Sequence, residues 1–471
     1  MRRTIKLLML VAIIPLLGAW AGAGGRAGNC TDPGCLDATF GTGGVALTTL
    51  PTTAIRRIAT QNVQTGPDTL EEMIVGVSGN PWTVARFRAS GALDTRFGGA
   101  AGFSGAVTKT FTKGAGSLRA LVVQPDGMLV VAGNVPVMTG KNTGVYTFAV
   151  ARYTADGQED PTFGGGDGLV TVSFPTPFTG WSSAYDVALQ ADGKIVAVGR
   201  CNNRSLSSES ALCAVRLLPD GELDTSFGTG GLFTYCHKTG LLTEGWSVAV
   251  QPSASVGERI VITAIGKETS TPYFSAGLII RLTATGAFDD TFGTGGIVRI
   301  VGQSRDRSPN LEARETGFVD TVIDSSNRIV AAGTLYFADN TNDLILARYL
   351  EDGSLDPTFG VGGTWTARWL NDNSVIWSIA IQPDGNILAA GSGANAGSLD
   401  AGVYRFLSYG VPDYGFGLGG WVSQPYPTNF GGITLVHKSD GTNTFVVGGR
   451  AAVPKGRQRW TYYSALWRYF Y

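Results

Sequence analysis

Apolar residues along this chain fall in short runs, unbroken or alternating with polar ones, and each run ends at a turn rich in Gly, Asp or Asn. Two runs split by a tight turn recur, as in LVVQPDGMLVVAG from Leu121 to Gly133 and IAIQPDGNILAAG from Ile379 to Gly391. Short apolar segments bounded by PDG and DG turns are antiparallel hairpin chemistry. A shorter strand signal precedes each hairpin (VALTTL, LVTVSF), and an Arg-bearing one follows it (FAVARY, LILARY). Each unit therefore carries four strand signals, and no helical period of useful length follows the N-terminal segment.

The units are copies of one another. A Phe-Gly pair returns at Phe40, Phe97, Phe163, Phe227, Phe292, Phe359 and Phe416, at intervals of 57 to 67 residues. An Asp precedes each Phe by three residues: Asp37, Asp94, Asp160, Asp224, Asp289, Asp356 and Asp413. An Arg stands eight residues ahead of all but the first Asp, at Arg86, Arg152, Arg216, Arg281, Arg348 and Arg405, and Arg468 has no Asp after it. Asp37 is thus left to serve Arg468, as in a ring sealed by its own ends. The spacing predicts an all-β, seven-bladed β-propeller of about 28 strands, four antiparallel strands per blade, closed by the N- and C-terminal segments. An Arg fork bridging its Asp and nearby turn carbonyls would lock each unit to the next. Gly91, Gly157, Gly221, Gly286, Gly353 and Gly410, five residues after each Arg, mark turns that need positive φ. The rival architecture, an outer-membrane barrel suggested by the terminal WRYFY, gives no reason for the Arg-Asp relation.

Composition agrees with a turn-rich β protein: 67 Gly in 471 residues, 15% charged residues and a net charge of -1, with no basic surplus to suggest nucleic acid. Residues 1–23 read as a signal peptide, with Arg2, Arg3 and Lys6 ahead of an apolar core and small residues offering cleavage after Ala21 or Ala23. The expected location is secreted, either periplasmic or extracellular. Residues 24–35 form a linker, 36–471 the repeat domain, and no later stretch is apolar and long enough for a membrane helix. An oxidising compartment suits disulfides between Cys30 and Cys35, which bracket a TDPG turn, and between Cys201 and Cys213, which flank a hairpin loop. Cys236 is left odd. The alternative is free buried thiols throughout.

The LDxTFGxGG stretches, with the QPDG hairpins and FAVARY-like strands, resemble the delta-60 repeat of bacterial exported and surface proteins over residues 36–471. The resemblance implies a β-propeller-like repeat domain and brings no reaction or active site. Unit one, with IATQNVQTGPDTLEEMIVGVSG, the SASVGE insertion of unit four, and the DSSN and VHKSDGTN turns of units five and seven depart from the hairpin consensus.

Candidate chemistry is sparse. His237 and His437 stand alone, so no catalytic triad or zinc site is indicated, and the DG turns lack the ligand density of a calcium loop. No cofactor, metal or catalytic residue is assigned. The loops after the first strand and before the fourth vary most and emerge on one side, the candidate binding face. It would carry Phe178, Trp181, Trp246, Trp369, Trp377, Tyr426, Phe430, Trp460 and the charged run Arg305–Glu315. Trp246 and Trp377 each stand five residues before the Gln of a QP turn, and Tyr185 takes the equivalent place. Trp181, Tyr185, Trp246 and Trp377 are therefore the candidate ligand-binding residues, with packing between units as the competing role. The functional expectation is a monomeric, non-enzymatic binding or scaffold module for a glycan, peptide or cell-surface partner. The alternative is a polysaccharide hydrolase or lyase using two carboxylates in the central cleft.

Overall fold

The computed structural model describes residues 31–471 except residues 49, 51–54, 65–68, 78–80, 99–104, 112–113, 115, 139–143, 254–256, 270–273, 301–314, 338, 340, 369–371, 396–397, 425–428, 438–440 and 455–459. The expected signal peptide and Cys30 lie outside the described residues, as do Trp369, Tyr426 and most of the 305–315 run.

Twenty-eight strands run through the described residues in chain order. They are β1 (Val45–Thr48); β2 to β5 (Ile55–Gln64, Thr69–Val77, Trp82–Phe87, Ala106–Lys109); β6 to β9 (Ser117–Val123, Leu129–Met138, Gly144–Tyr153, Leu169–Val172); β10 to β13 (Ser182–Leu189, Ile195–Asn202, Ser210–Leu217, Leu232–Tyr235); β14 to β17 (Thr243–Gln251, Arg259–Thr269, Phe274–Leu282, Ile297–Ile300); β18 to β21 (Glu315–Ile323, Ile329–Tyr336, Asn342–Tyr349, Thr364–Ala367); β22 to β25 (Asp372–Ile381, Ile387–Asn395, Ser398–Phe406, Trp421–Gln424); and β26 to β28 (Asn429–His437, Asn443–Pro454, Trp460–Phe470). The molecule is an all-β propeller. Two of its middle strands, Ser210–Leu217 and Asn342–Tyr349, are buried along their whole length, because a sheet lies against each face.

The expectation of seven separate four-stranded blades is corrected by the ladders. Hydrogen bonding joins the strands into six sheets, five of four strands and one of eight. The larger sheet arises because a parallel bridge from Ser275 to Glu315 joins β16 to β18. In the sheet β1-β28-β27-β26, the first strand of the chain pairs with the last, Val45 opposite Trp467.

The Arg-Asp motif forms one device in seven copies. Each guanidinium Nε donates to its carboxylate over 2.5–2.9 Å, from Arg86–Asp94 through Arg405–Asp413 to Arg468–Asp37. The Arg also lies over the Phe of the same motif, 4.6 Å from the ring centre for Arg348 and Phe359. Its Nη1 then crosses to a turn carbonyl of the following unit: Ala155 from Arg86 at 2.8 Å, Glu351 from Arg281 at 2.5 Å, Ser408 from Arg348 at 2.5 Å. The side chain thereby staples neighbouring units, which explains why this segment never changes length. The turn Gly completes the joint. Gly410 has φ +80° and faces the Phe359 ring so closely that a Cβ would come within 2.7 Å of it.

Burial alone would raise the carboxyl pKa values of Asp160, Asp224, Asp289 and Asp356, but hydrogen bonds from the Thr or Ser two residues on, with the Arg charge, hold all four below the usual range. Cys201 and Cys213 form a disulfide across β11 and β12, with Cα atoms 5.9 Å apart, and Cys35 is also disulfide-bonded. Cys236 is free.

Candidate functional site

The innermost strand of each unit carries a bulge at an equivalent place, and β22 has a second register shift between Asp372 and Val375. Register shifts fall between Ile55 and Arg57, Leu118 and Ala120, Ala184 and Asp186, Gly245 and Ser247, Phe318 and Asp320, Ile376 and Ser378, and Phe430 and Gly432. The residues thrown out of register are Arg56, Arg119, Tyr185, Trp246, Val319, Trp377 and Gly431. A bulge kinks its strand and re-aims the extra residue. Here all seven line one axial cavity of about 190 Å³, joined by Ile55, Arg57, Phe430 and Arg450.

The bulges also account for the Gly that ends the AAG and VAG runs. A Cβ on Gly333 would sit 1.8 Å from the Gly317 carbonyl oxygen, and one on Gly391 2.1 Å from that of Val375. Only a residue without a side chain lets the partner strand approach the bulge this closely.

The cavity has two unlike sides. Strands β26, β2, β6, β10, β14, β18 and β22 are neighbours in that order around the axis, and β22 returns to β26. Arg450, Arg56 and Arg119 come from the arc of β27, β2 and β6. Tyr185, Trp246 and Trp377 come from the opposite arc of β10, β14 and β22. At the junction the Arg119 guanidinium lies 4.6 Å from the Tyr185 ring centre, and Tyr185 packs on Trp246 at 5.1 Å. Burial, with the nearby Glu244 charge, pushes the Tyr185 hydroxyl up to about 12, so it stays neutral. Trp377 donates to Ser392 Oγ at 3.4 Å.

The residue after each bulge forms a lower layer, and three of these carry charge. Arg57 lies 3.6 Å from Asp320 and 3.8 Å from Asp186, and donates to Ser378 Oγ at 3.3 Å. Asp186 Oδ2 accepts from Ser247 Oγ at 2.8 Å and from the Val248 N–H at 3.0 Å. Asp320 accepts from Ser247 Oγ at 3.1 Å, the Thr321 N–H at 3.1 Å and the Ile379 N–H at 2.8 Å. One hydroxyl proton faces two carboxylates. Burial lifts the Asp186 carboxyl, a rise that Arg57 opposes and Asp320 reinforces. Two inward carboxylates are thus present, yet neither lines the cavity, and Arg57 with five donor contacts occupies them.

Of the four candidate ligand-binding residues, Tyr185, Trp246 and Trp377 meet at the cavity. Trp181 does not reach it and lies 5.7 Å from the Arg200 guanidinium, which donates to Asn202 at 2.8 Å. Phe178 packs into the core beside β6 to β12, and Phe430 joins the cavity wall. The arginines were not anticipated. Their signal was in the same offset: Arg119 stands five residues before Gln124 and Arg56 five before Gln61. Among the described residues no group of three His, Cys, Asp or Glu side chains is arranged to hold a metal, and no helix is long and apolar enough to cross a membrane.

Four segments, 124–163, 190–227, 325–359 and 382–416, match the family described as "Domain of unknown function (DUF5122) beta-propeller". Four repeats are matched, not the seven that the spacing predicted, a second correction to the blade count. No curated protein matches the chain. Similar solved structures include a protein of unknown function from Dyadobacter fermentans, at 11% identity and TM-score 0.44, covering 76% of this chain and 95% of that one. An ulvan lyase described as a new family of polysaccharide lyase has 11% identity and TM-score 0.41, over 89% and 92%. An exo-1,5-alpha-L-arabinanase from a bovine ruminal metagenomic library has 9% identity and TM-score 0.33, over 65% and 97%. Likenesses this weak carry no functional argument. The four matched segments are similar to repeats of a β-propeller family, a broader likeness than the delta-60 repeat.

Proposed function

We propose that this chain is an exported, non-enzymatic binding module whose axial cavity takes one sugar-sized ring of a glycan. The observation that carries the reading is the convergence of Tyr185, Trp246 and Trp377 on one cavity. Flat aromatic faces offer apolar contact to the C–H face of a sugar ring at little conformational cost. At about 190 Å³ the space is smaller than the roughly 300–1,000 Å³ of drug-sized ligand sites, which favours a single ring over a longer chain. Export rests on the apolar N-terminal segment and the disulfides.

The carboxylate reading fits less well. A retaining glycosidase needs two carboxyl groups about 5–5.5 Å apart with the substrate between them. Between Asp186 and Asp320 stand Ser247 and Arg57, and backbone N–H groups of Val248, Thr321 and Ile379 hold both side chains in place.

A glycan array with the chain from Gly24, beside the double variant Trp246→Ala plus Trp377→Ala, tests the reading, with product release assayed on every glycan bound. Binding that disappears in a variant melting like its parent, without product, supports a lectin-like cavity. Product release would move the assignment to the carboxylate enzyme. Binding indifferent to the two Trp would leave them as packing and point to a protein or peptide partner.

A further inference from the structure

We infer that the ring held in the axial cavity is acidic: a saccharide ring carrying a carboxylate or sulfate, its oxyanion on the arc of Arg119, Arg56 and Arg450, its face on Trp246 and Trp377. The inference deepens the proposed function and rests on that reading of the cavity.

Three observations carry it. Arg119 Nε, Arg450 Nε and Trp246 Nε1 are all buried and hydrogen-bonded to nothing among the described residues. Each of these atoms can only donate, so the partner missing from all three must bring acceptors. Unmade hydrogen bonds at buried donors are costly, and a ligand, an ion or a water that brings acceptors removes that cost.

The charges point the same way. Neither Arg119 nor Arg450 has an acidic partner among the described residues; their guanidinium groups stack on Tyr185 and Tyr462, each 4.6 Å from the ring centre. Burial first, and then repulsion from Arg119 and Arg450, lowers the Arg56 pKa. Two positive neighbours press on it in a chain whose net charge is only -1. Asp186 and Asp320 are turned to Arg57 in the layer below. An oxyanion entering the arc relieves the repulsion and satisfies the donors together, and planar Arg forks suit carboxylate and sulfate geometry.

The two-sided plan adds the ring. A small inorganic anion would use only the arginine arc and leave Trp246 and Trp377 facing empty space. A neutral sugar would use the aromatic arc and leave the Nε donors without a strong acceptor. An acidic sugar uses both.

Isothermal titration at low ionic strength, with D-galacturonate, D-galactose, galactose 6-sulfate and inorganic sulfate as probes, separates these cases. The expected result is that an acidic sugar binds at least about tenfold more tightly than galactose, the worth of one or two charge-assisted hydrogen bonds. Arg119→Gln and Arg450→Gln should each remove about tenfold of that preference while melting no lower than the parent, since each relieves like-charge repulsion. Affinity should fall as salt is added. Galacturonate against galactose 6-sulfate shows which oxyanion is favoured. Galactose bound as well as the acids, in a Trp-dependent way, would overturn the acidic inference and leave the cavity reading standing. Sulfate bound as tightly as the acidic sugars would overturn the ring. Failure of every probe on a folded chain, with galactose-based glycans also silent on the array, would overturn the cavity reading itself.

Discussion

Arg468 and Asp37 stand 431 residues apart in sequence, yet Arg468 Nε and Nη2 hold the Asp37 carboxylate at 2.8 and 2.7 Å, with both side chains almost fully buried. The geometry matches that of the internal pairs, so ring closure uses the same joint as every other contact between units. Removing one partner of a buried pair leaves an uncompensated charge and costs about 3–5 kcal/mol. Arg468→Ala is expected to lower the unfolding free energy by that amount, as is Asp356→Ala. Chemical denaturation of the two variants beside the parent checks it. A parent-like midpoint for either would remove the staple from the account.

Acid should undo these joints together. The folded pKa values of Asp160, Asp224, Asp289 and Asp356 lie below that of an unfolded Asp, about 3.9. The stability they supply is therefore fully present above about pH 5 and drains as pH falls through 4 towards the folded values. Melting temperature measured from pH 7 to pH 2.5 should stay level and then drop. In Asp160→Asn the drop should be shallower, because one contributing carboxylate is gone; an unchanged acid slope would count against these groups.

Much of this joint was legible in the sequence, because Arg, Asp, Phe and Gly recur at fixed offsets and rigid geometry demands fixed length. The Cys201–Cys213 disulfide was legible too. The sheet count was not: the single Ser275–Glu315 bridge that joins two sets of strands leaves no pattern in the residues. Nor was the bulge, since a strand with one extra residue keeps its apolar character. Trp181 was singled out as an aromatic near a loop, but it sits in the bend before β10 and lies against Arg200, not at the axis. Following the bulge offset from Gln instead of following aromatics would have replaced Trp181 with Arg119 and Arg56.

The Gly opposite a bulge gives a contrast between space and backbone freedom. Gly333→Ala places a methyl 1.8 Å from the Gly317 oxygen, at a position with no positive φ. Gly362→Ala meets nothing within 4 Å but has φ +64°. Overpacking should cost the first about 1–3 kcal/mol or more, against about 1 kcal/mol for left-handed strain in the second. Equal melting temperatures would show that β18 yields to the methyl and that its bulge is not fixed.

The lower layer of the axis permits a test in which acid should restore stability. Arg57 faces Asp186 and Asp320, and their charges outweigh burial to raise its pKa, so it remains protonated. Arg57→Met keeps most of the side-chain volume and strands two buried carboxylates around Ser247. At pH 7 the variant should lose about 3–5 kcal/mol. Burial already holds the Asp186 pKa above its unfolded value even with Arg57 present, and losing Arg57 raises it further. For a group raised in the folded state, stability is highest below the unfolded pKa and is lost as pH rises through the folded one. Lowering the pH from 7 towards 5 should therefore narrow the gap between Arg57→Met and its parent, before the Arg-Asp staples begin to fail. Melting curves at pH 7, 6 and 5 read this directly. A gap that stays constant would mean the two carboxylates are solvated in the variant, and that Arg57 serves the cavity wall rather than the charges beneath it.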